Sequence, residues 1–264
     1  KVSGLQIPNF LKPQNVSRNF LKNRNRMNII REIKQFFERR KALKEVYDDL
    51  KNLNEVKLEQ RIKVFNEIVT PRLAEIGLKN WNGKYIWFSD FNEEGVKHVV
   101  EYNVFKYFGG SFSFGNCYNF IPTISGRKLI FHKTDKSTKI IYYKKSEGWQ
   151  KSDDEDSPIN IDHISTVNEE KFHKSLNEVL DRNLPKFEKW FEQNESIEQN
   201  IKSLLKDVEH EKKEFIRRII SFDYILYFLY RQKGNKNEAE KHYKQHIKRN
   251  LNSPEEIELL KEKS

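Results

Sequence analysis

The spacing of apolar residues changes period twice along this chain, and that double change limits the folds open to it. From Met27 to about Leu53, Ile29, Ile30, Ile33, Phe36, Phe37, Leu43, Val46 and Leu50 recur at steps of three and four, which lays one apolar stripe along a helix. A second helix is predicted over about 55–77, with a kink or restart at Pro71 and Gly77 at its C-terminal cap. Between Trp81 and Gln150 the period drops to two. Segments 84–89, 97–105, 111–121, 127–134 and 139–145 are short, rich in Val, Ile, Phe and Tyr, and separated by Gly, Asn, Asp and Ser. These are strand signals, and their order predicts an antiparallel meander.

Within 111–120 the alternation fixes the faces. Phe112, Phe114, Tyr118 and Phe120 share one side with Asn116, while Ser111, Ser113, Cys117 and Asn119 share the other, as in a sheet packed on one face. Helical spacing then returns. One helix is predicted from Asn168 onward, divided by Pro185 from Phe187, Trp190 and Phe191, and a long one runs from about Ile197 to Gln232. Gly234 and Asn235 stop it, a shorter helix covers about 236–250, and Ser253 with Pro254 caps a last turn. The expected class is α+β: N-terminal helices, a central antiparallel meander of about five strands, and a C-terminal helical bundle. The expected organisation is an extended arm over 1–26, an α+β domain over 27–200, and C-terminal helices over 201–264 packed on it. The sole methionine, Met27, stands directly before the first helical pattern, which leaves two readings open: a native start there with 1–26 an extension, or a chain trimmed at its front.

Composition removes several classes. Of 264 residues 33% are charged, but 19 Phe, 11 Tyr and 4 Trp are too many for a disordered chain. No run of about 18 apolar residues occurs, so no membrane-spanning helix and no membrane partner are expected. No secretory leader pattern opens the chain. One cysteine, Cys117, excludes an intramolecular disulfide and a CxxC zinc site and points to a reducing compartment, the cytoplasm.

The net charge of +10 is unevenly placed. Residues 1–45 hold 12 Lys/Arg against 3 Asp/Glu, whereas 151–200 hold 6 against 13. Lys12, Arg18, Lys22, Arg24 and Arg26 stand in an arm without a single acid. Such an arm can bind nucleic acid through phosphate contacts and counterion release; it can equally lie over the domain through Leu5, Ile7 and Phe10. The later strands carry Arg127, Lys128, Lys133, Lys136, Lys139, Lys144 and Lys145 with Tyr142 and Tyr143 interleaved. Lysines beside exposed aromatics can hold a backbone while bases stack; the alternative is that one tyrosine faces the core and the lysines only solubilise an edge strand.

Chemistry is sparse. Gly109, Gly110 and Gly115 lack the following helix and the Gly-Lys-Ser/Thr of a phosphate loop, so they read as a bulge or a tight approach. His242 and His246 stand four apart, as two zinc ligands on a helix would, but without HExxH order; a charged, solvent-facing helix is the simpler reading. Asp153 to Asp156 lacks the alternating ligand spacing of a calcium loop. Cys117, His132 and Glu101 lie on neighbouring predicted strands and would make nucleophile, base and orienting acid if they met; a lone cysteine is more simply a small buried hydrophobe. No cofactor is expected.

Four stretches carry resemblances, three of them to one family. The segment "FNEIVTPRLAEIGLKNWNGKYIW" (65–87), the strands to "GNCYNFIP" (115–122) and the helix "FHKSLNEVLDRNLPKFEKWF" (172–191) together resemble a bacterial family of domains of unknown function. In that family a helix ending in Leu-x-x-x-Gly, here Leu73 to Gly77, precedes a meandering sheet and C-terminal helices. Some members lie beside polymorphic-toxin immunity or defence genes. The resemblance spans about 60–205, implies recognition of a protein partner and transfers no catalytic residue. "YILYFLYRQKGNKNEAEKHYKQHIKR" (224–249) is similar to one tetratricopeptide-type hairpin, with Gly234 at the turn and Ala239 at the close-packing position.

The first expectation is therefore a non-catalytic bacterial binding protein with a protein partner of the immunity or defence type. The second is a component that binds DNA or RNA through Lys12, Arg18, Lys22, Arg24, Arg26, Lys128, Lys133, Lys139, Lys144 and Lys145. The third is a hydrolase with Cys117 as nucleophile.

Overall fold

In the computed structural model, residues 53–105, 109–126, 128–146, 149–150, 159–214 and 220–249 are described, with Phe37, Arg40, Lys41 and Lys44 at helical positions. The chain divides into two compact units, 1–52 with 151–158 and 53–150 with 159–264; the second holds all the described strands. The basic arm, most of the first predicted helix, the acidic loop at 153–156 and the cap at 253–256 lie outside the described residues.

The second unit is α+β. Helix α1 (Leu58–Val64) passes through one turn of π-helix (Phe65–Val69) into α2 (Thr70–Glu75). The wide turn ends at Val69, and Pro71 follows as the second residue of α2. Proline there has no N–H to give and its ring crowds the carbonyl one turn back. The five-residue step lets Thr70 N–H reach the Phe65 carbonyl, so the helix is widened where a break was expected. Gly77 follows with φ +88° and turns the chain into the sheet.

Strands β1 (Asn80–Trp81), β2 (Ile86–Phe88), β3 (Val96–Phe105) and β4 (Gly109–Tyr118) form an antiparallel run. Two further strands share the far edge of β4: β10 (Ile164–Ser165) pairs with Gly109 and Gly110, and β7 (Tyr142–Lys145) pairs with Ser113 to Asn116. A separate hairpin, β5 (Thr123–Ser125) with β6 (Lys128–Ile130), lies between β4 and β7 in the chain, and a short pair, β8 (Trp149–Gln150) with β9 (Ile159–Asn160), lies between β7 and β10. The segment expected as a strand of the main sheet over 127–134 is thus a short arm of its own hairpin.

The predicted facing of β4 holds. Phe112 and Phe114 pack with Val100, Tyr102, Trp87 and Phe65 under α3 (Glu169–Glu192), which contributes Phe172, Leu176, Val179 and Phe187. Each buried phenylalanine there contributes about 1.5–3 kcal/mol. Further along the same face, Tyr118, Ile121, Ile141 and Tyr142 pack under α4 (Ile197–Glu214), α5 (Phe222–Gln232) and α6 (Lys236–Arg249). The small face of β4 is covered as well: all ten of its residues are buried, and Cys117 packs with Phe88, Val99 and Ile140. A sheet packed on one side was expected; β4 is enclosed on both.

Two helix boundaries differ from expectation. Pro185 sits inside an unbroken α3, because burying Phe187 and Phe191 on the same stripe as Leu180 outweighs one lost hydrogen bond. The long helix expected over 197–232 is two helices. Ser221 caps the second, its Oγ accepting from Tyr224 N–H at 3.2 Å, and α5 then runs buried from Phe222 to Leu229.

Glycines in β4 serve close approach. A Cβ on Gly115 would lie 1.8 Å from the Tyr142 carbonyl oxygen, and one on Gly110 would lie 2.3 Å from the Asn103 carbonyl oxygen. They serve a tight approach between strands, which is what admits β7 and the Tyr102 ring to the sheet.

Candidate functional site

The three residues of the conjectured triad lie on or beside the small face of β3 and β4, yet the structure does not assemble them. Cys117 is cross-strand from Lys97, while Glu101 is opposite Ser113, four residues and roughly 13 Å farther along. The Cys117 thiol faces the backbone carbonyl of His132 at 3.9 Å, and burial pushes its pKa up, away from thiolate. His132 uses both ring nitrogens elsewhere. Nδ1 lies 2.6 Å from the Ser137 carbonyl, so it carries the proton and donates. Nε2, 3.0 Å from Thr123 Oγ1, then accepts the threonine hydroxyl. Burial lowers the His132 pKa, in keeping with this neutral form. The imidazole ties a loop to a strand. Burial raises the Glu101 carboxyl, with nearby Lys139 pulling the other way.

What this arrangement builds is a braced surface. Residues 131–139 leave β6, cross the small face and return. Ser137 N–H and Thr138 N–H close turns on the carbonyls of Thr134 and Asp135. His132 fixes the start of the loop. Its middle is fixed by Lys97, which is 1% exposed, has Nζ 4.6 Å and 4.4 Å from the ring centres of Phe88 and Phe91, and reaches Asp135 Oδ1 at 2.8 Å. A buried ammonium needs a charge partner and gains from aromatic faces; Lys97 has both. In the hairpin, Ile124 and Leu129 pack against the core, which turns Lys128 and Ile130 outward. Ile130 and the following Phe131 are 41% and 39% exposed, and Lys133 Nζ stands 5.3 Å from the Phe131 ring centre. Lys128, Lys133, Lys136 and Lys139 are exposed around them.

The other basic candidates divide. Lys144 is ion-paired with Asp207, whose carboxylate also accepts the Tyr142 hydroxyl at 2.6 Å. Tyr142 is fully buried on the helix face, and Tyr143 points to the opposite one, half-buried. Lys145 is exposed at the end of β7. Lys12, Arg18, Lys22, Arg24, Arg26 and Arg127 lie outside the described residues.

The paired histidines of α6 are buried, contrary to a solvent-facing helix. His242 Nδ1 lies 2.8 Å from Asp223 Oδ1 and its ring stacks on Tyr230. His246 Nδ1 lies 2.7 Å from Ser221 Oγ, and burial lowers its pKa while Asp223 raises it. The period of α6 turns 239, 242, 243 and 246 toward α5. No group of three or more His, Cys, Asp or Glu able to hold a metal occurs among the described residues.

A second polar cluster escaped sequence reasoning. Asn116 Nδ2 donates to Asn200 Oδ1 at 2.7 Å and to the Asn194 carbonyl at 2.8 Å. Tyr118 Oη donates to the same Asn200 oxygen at 2.6 Å. Asn200 Nδ2 donates back to the carbonyls of Asn194 and Ser196. His98 Nδ1 donates to Asn116 Oδ1 at 2.8 Å, its ring stacked on Phe191. The one signal was Asn116 on an otherwise apolar strand face. Ile130 and Phe131 were also missed, hidden in a run that reads as an ordinary strand.

No protein-family model matches the chain, and no characterised protein or solved structure shows significant similarity to it.

Proposed function

We propose that this chain works by binding, and that it recognises another protein through the β5–β6 hairpin and the loop after it. The observation that carries this reading is the exposed Ile130–Phe131 pair, held on a loop that three contacts brace: His132 to Thr123, His132 to Ser137, and Lys97 to Asp135. Exposed apolar residues on a rigid support lose little entropy on association, so their burial goes into affinity. Four interior polar residues favour the same reading, since Cys117, His132, Asn116 and Asn200 are engaged in holding elements together. The resemblance of 60–205 to a family found near immunity and defence genes makes a toxin or defence protein the partner class, in a bacterial cytoplasm.

The test is biolayer interferometry of the whole chain against proteins encoded beside its gene. Binding by one of them that weakens at least tenfold in Phe131→Ser supports the reading. Undiminished binding by Ile130→Ser and Phe131→Ser together removes the hairpin from it.

A second reading, nucleic-acid binding, draws on Lys133 over the Phe131 ring and on Lys128, Lys136 and Lys139 nearby. Anisotropy of labelled single- and double-stranded DNA and RNA, at low and moderate salt, for the whole chain and for 27–264, decides it. Salt-sensitive binding lost with the arm supports it; no binding at micromolar protein ends it.

A further inference from the structure

Resting on the protein-recognition reading, we infer that the partner presents an acidic surface around an apolar side chain, and that Lys128, Lys133 and Lys136 receive those acids while Ile130 and Phe131 receive the apolar group. Residues 121–146 contain seven Lys/Arg and one acid, Asp135. That acid stays exposed but is ion-paired at 2.8 Å with the buried Lys97, so the pair adds no net negative charge to the surface. Two lysines are partly spent in the same way: Lys144 on Asp207, and Lys139 beside Glu101, whose pKa it lowers. Lys128, Lys133 and Lys136 are left exposed with no ion-pair partner among the described residues.

An apolar centre ringed by uncompensated charge of one sign has the anatomy of a recognition patch. Desolvating the centre supplies affinity, and the charged rim sets orientation and speeds encounter with a partner of opposite sign. The buried Lys97 is then a positioning residue: it spends a cation to cancel Asp135, the one acid of 121–146, and to fix the loop that presents Phe131 and Lys133. A protein is favoured over a nucleic acid because a base-stacking platform needs several exposed aromatic faces. Here Phe131 is accompanied by aliphatic Ile130, and Tyr142 is buried.

The experiment measures fluorescence anisotropy of the full chain with three labelled probes: a peptide alternating Glu with Leu and Phe, the same peptide with Lys for Glu, and single-stranded oligo-dT. The acidic peptide is expected to bind in the range of about 10–100 µM at moderate salt, the basic one at least tenfold more weakly. Binding should fall at least tenfold in Lys128→Glu/Lys133→Glu/Lys136→Glu and in Phe131→Ser. It should stay within about twofold in Lys79→Glu/Lys84→Glu/Lys174→Glu, a charge-matched control on the other core, and circular dichroism verifies that each variant is folded. Oligo-dT binding tighter than the peptide and lost with the same lysines would make the patch a nucleic-acid site and overturn the inference. Acidic-peptide binding unchanged in the hairpin variant moves the site elsewhere and leaves the protein reading standing. Equal binding of acidic and basic peptides, or none of either beside a neighbour-encoded protein that does bind, rejects the acidic partner alone.

Discussion

The asparagine cluster between β4 and α4 and the loop between β6 and β7 are both rich in polar groups, and they use them in opposite directions. In the first, Asn116, Asn200 and Tyr118 are fully buried and aim their hydrogen bonds across elements far apart in sequence. The bonds from Asn116 and Tyr118 to Asn200 tie a strand to a helix, and those of Asn200 to the Asn194 and Ser196 carbonyls fix the start of that helix. In the second, the buried groups His132 and Lys97 sit beneath a loop whose outward residues have no such duty. The difference separates polarity that specifies a fold from polarity that supports a surface. Burial of both partners marks the first; a buried base under an exposed tip marks the second.

The largest effect should come from the interior. Asn200→Ala removes the acceptor for Asn116 and Tyr118 and both donors to Asn194 and Ser196, so urea denaturation should record a loss of about 3 kcal/mol. A loss under about 1 kcal/mol would break the comparison at its first term. Gly115→Ala tests the same strand by steric means and should cost about 3 kcal/mol, since the new methyl meets the Tyr142 backbone and not a movable side chain.

The loop brace should respond asymmetrically. Asp135→Ala leaves Lys97 buried and unpaired and is expected to lower stability by about 1–2 kcal/mol. Lys97→Met keeps the packing on Phe88 and Phe91, frees an exposed carboxylate and should cost less than about 1 kcal/mol. The reverse order in chemical denaturation would show that Lys97 does not rely on Asp135.

Acid should weaken the fold before it reaches the carboxylates. His98, His132 and His246 are held below their ordinary value of 6.5, mainly by burial. Unfolding exposes them, so below about pH 6.5 the unfolded chain takes up protons that the native chain refuses, and stability falls as pH falls. Glu101, raised by burial, works in the opposite sense: as pH rises through its native pKa the native carboxyl must ionise at a cost. The urea midpoint should therefore drop from pH 7 to pH 5.5, and Glu101→Gln should leave stability at pH 7 equal or higher. A flat histidine region would contradict the burial of these rings.

The smallest effect on stability should come from the patch itself. Phe131→Ser and Lys133→Ala should each lie within about 0.5 kcal/mol of the parent by thermal or urea denaturation. A loss above about 1.5 kcal/mol in either would place the tip among the fold-specifying groups and erase the distinction.

Local pattern was enough for much of this architecture. The two-residue period of Ser111 to Phe120 told which side chains share a face, and the three-and-four spacing of Phe172, Leu176, Val179 and Leu180 gave α3 its buried stripe. Both are short-range consequences of helix and strand geometry. What sequence could not supply was pairing. Whether 128–130 joins the main sheet or folds back on 123–125, whether Pro185 ends a helix, and whether 197–232 is one helix or two all depend on energies of contacts remote in sequence. The candidate surface is of this second kind. Lysines 128, 133 and 136 were visible from charge alone, but their freedom from acids depends on Lys97 arriving from β3 beneath Asp135, 38 residues away. Likewise Cys117 and Glu101 share a sheet face, yet strand register sets them four residues apart, and His132 lies in the loop after β6 with its ring engaged by Thr123 and Ser137. Period sets which face a residue takes; tertiary packing alone decides what that face finds opposite it.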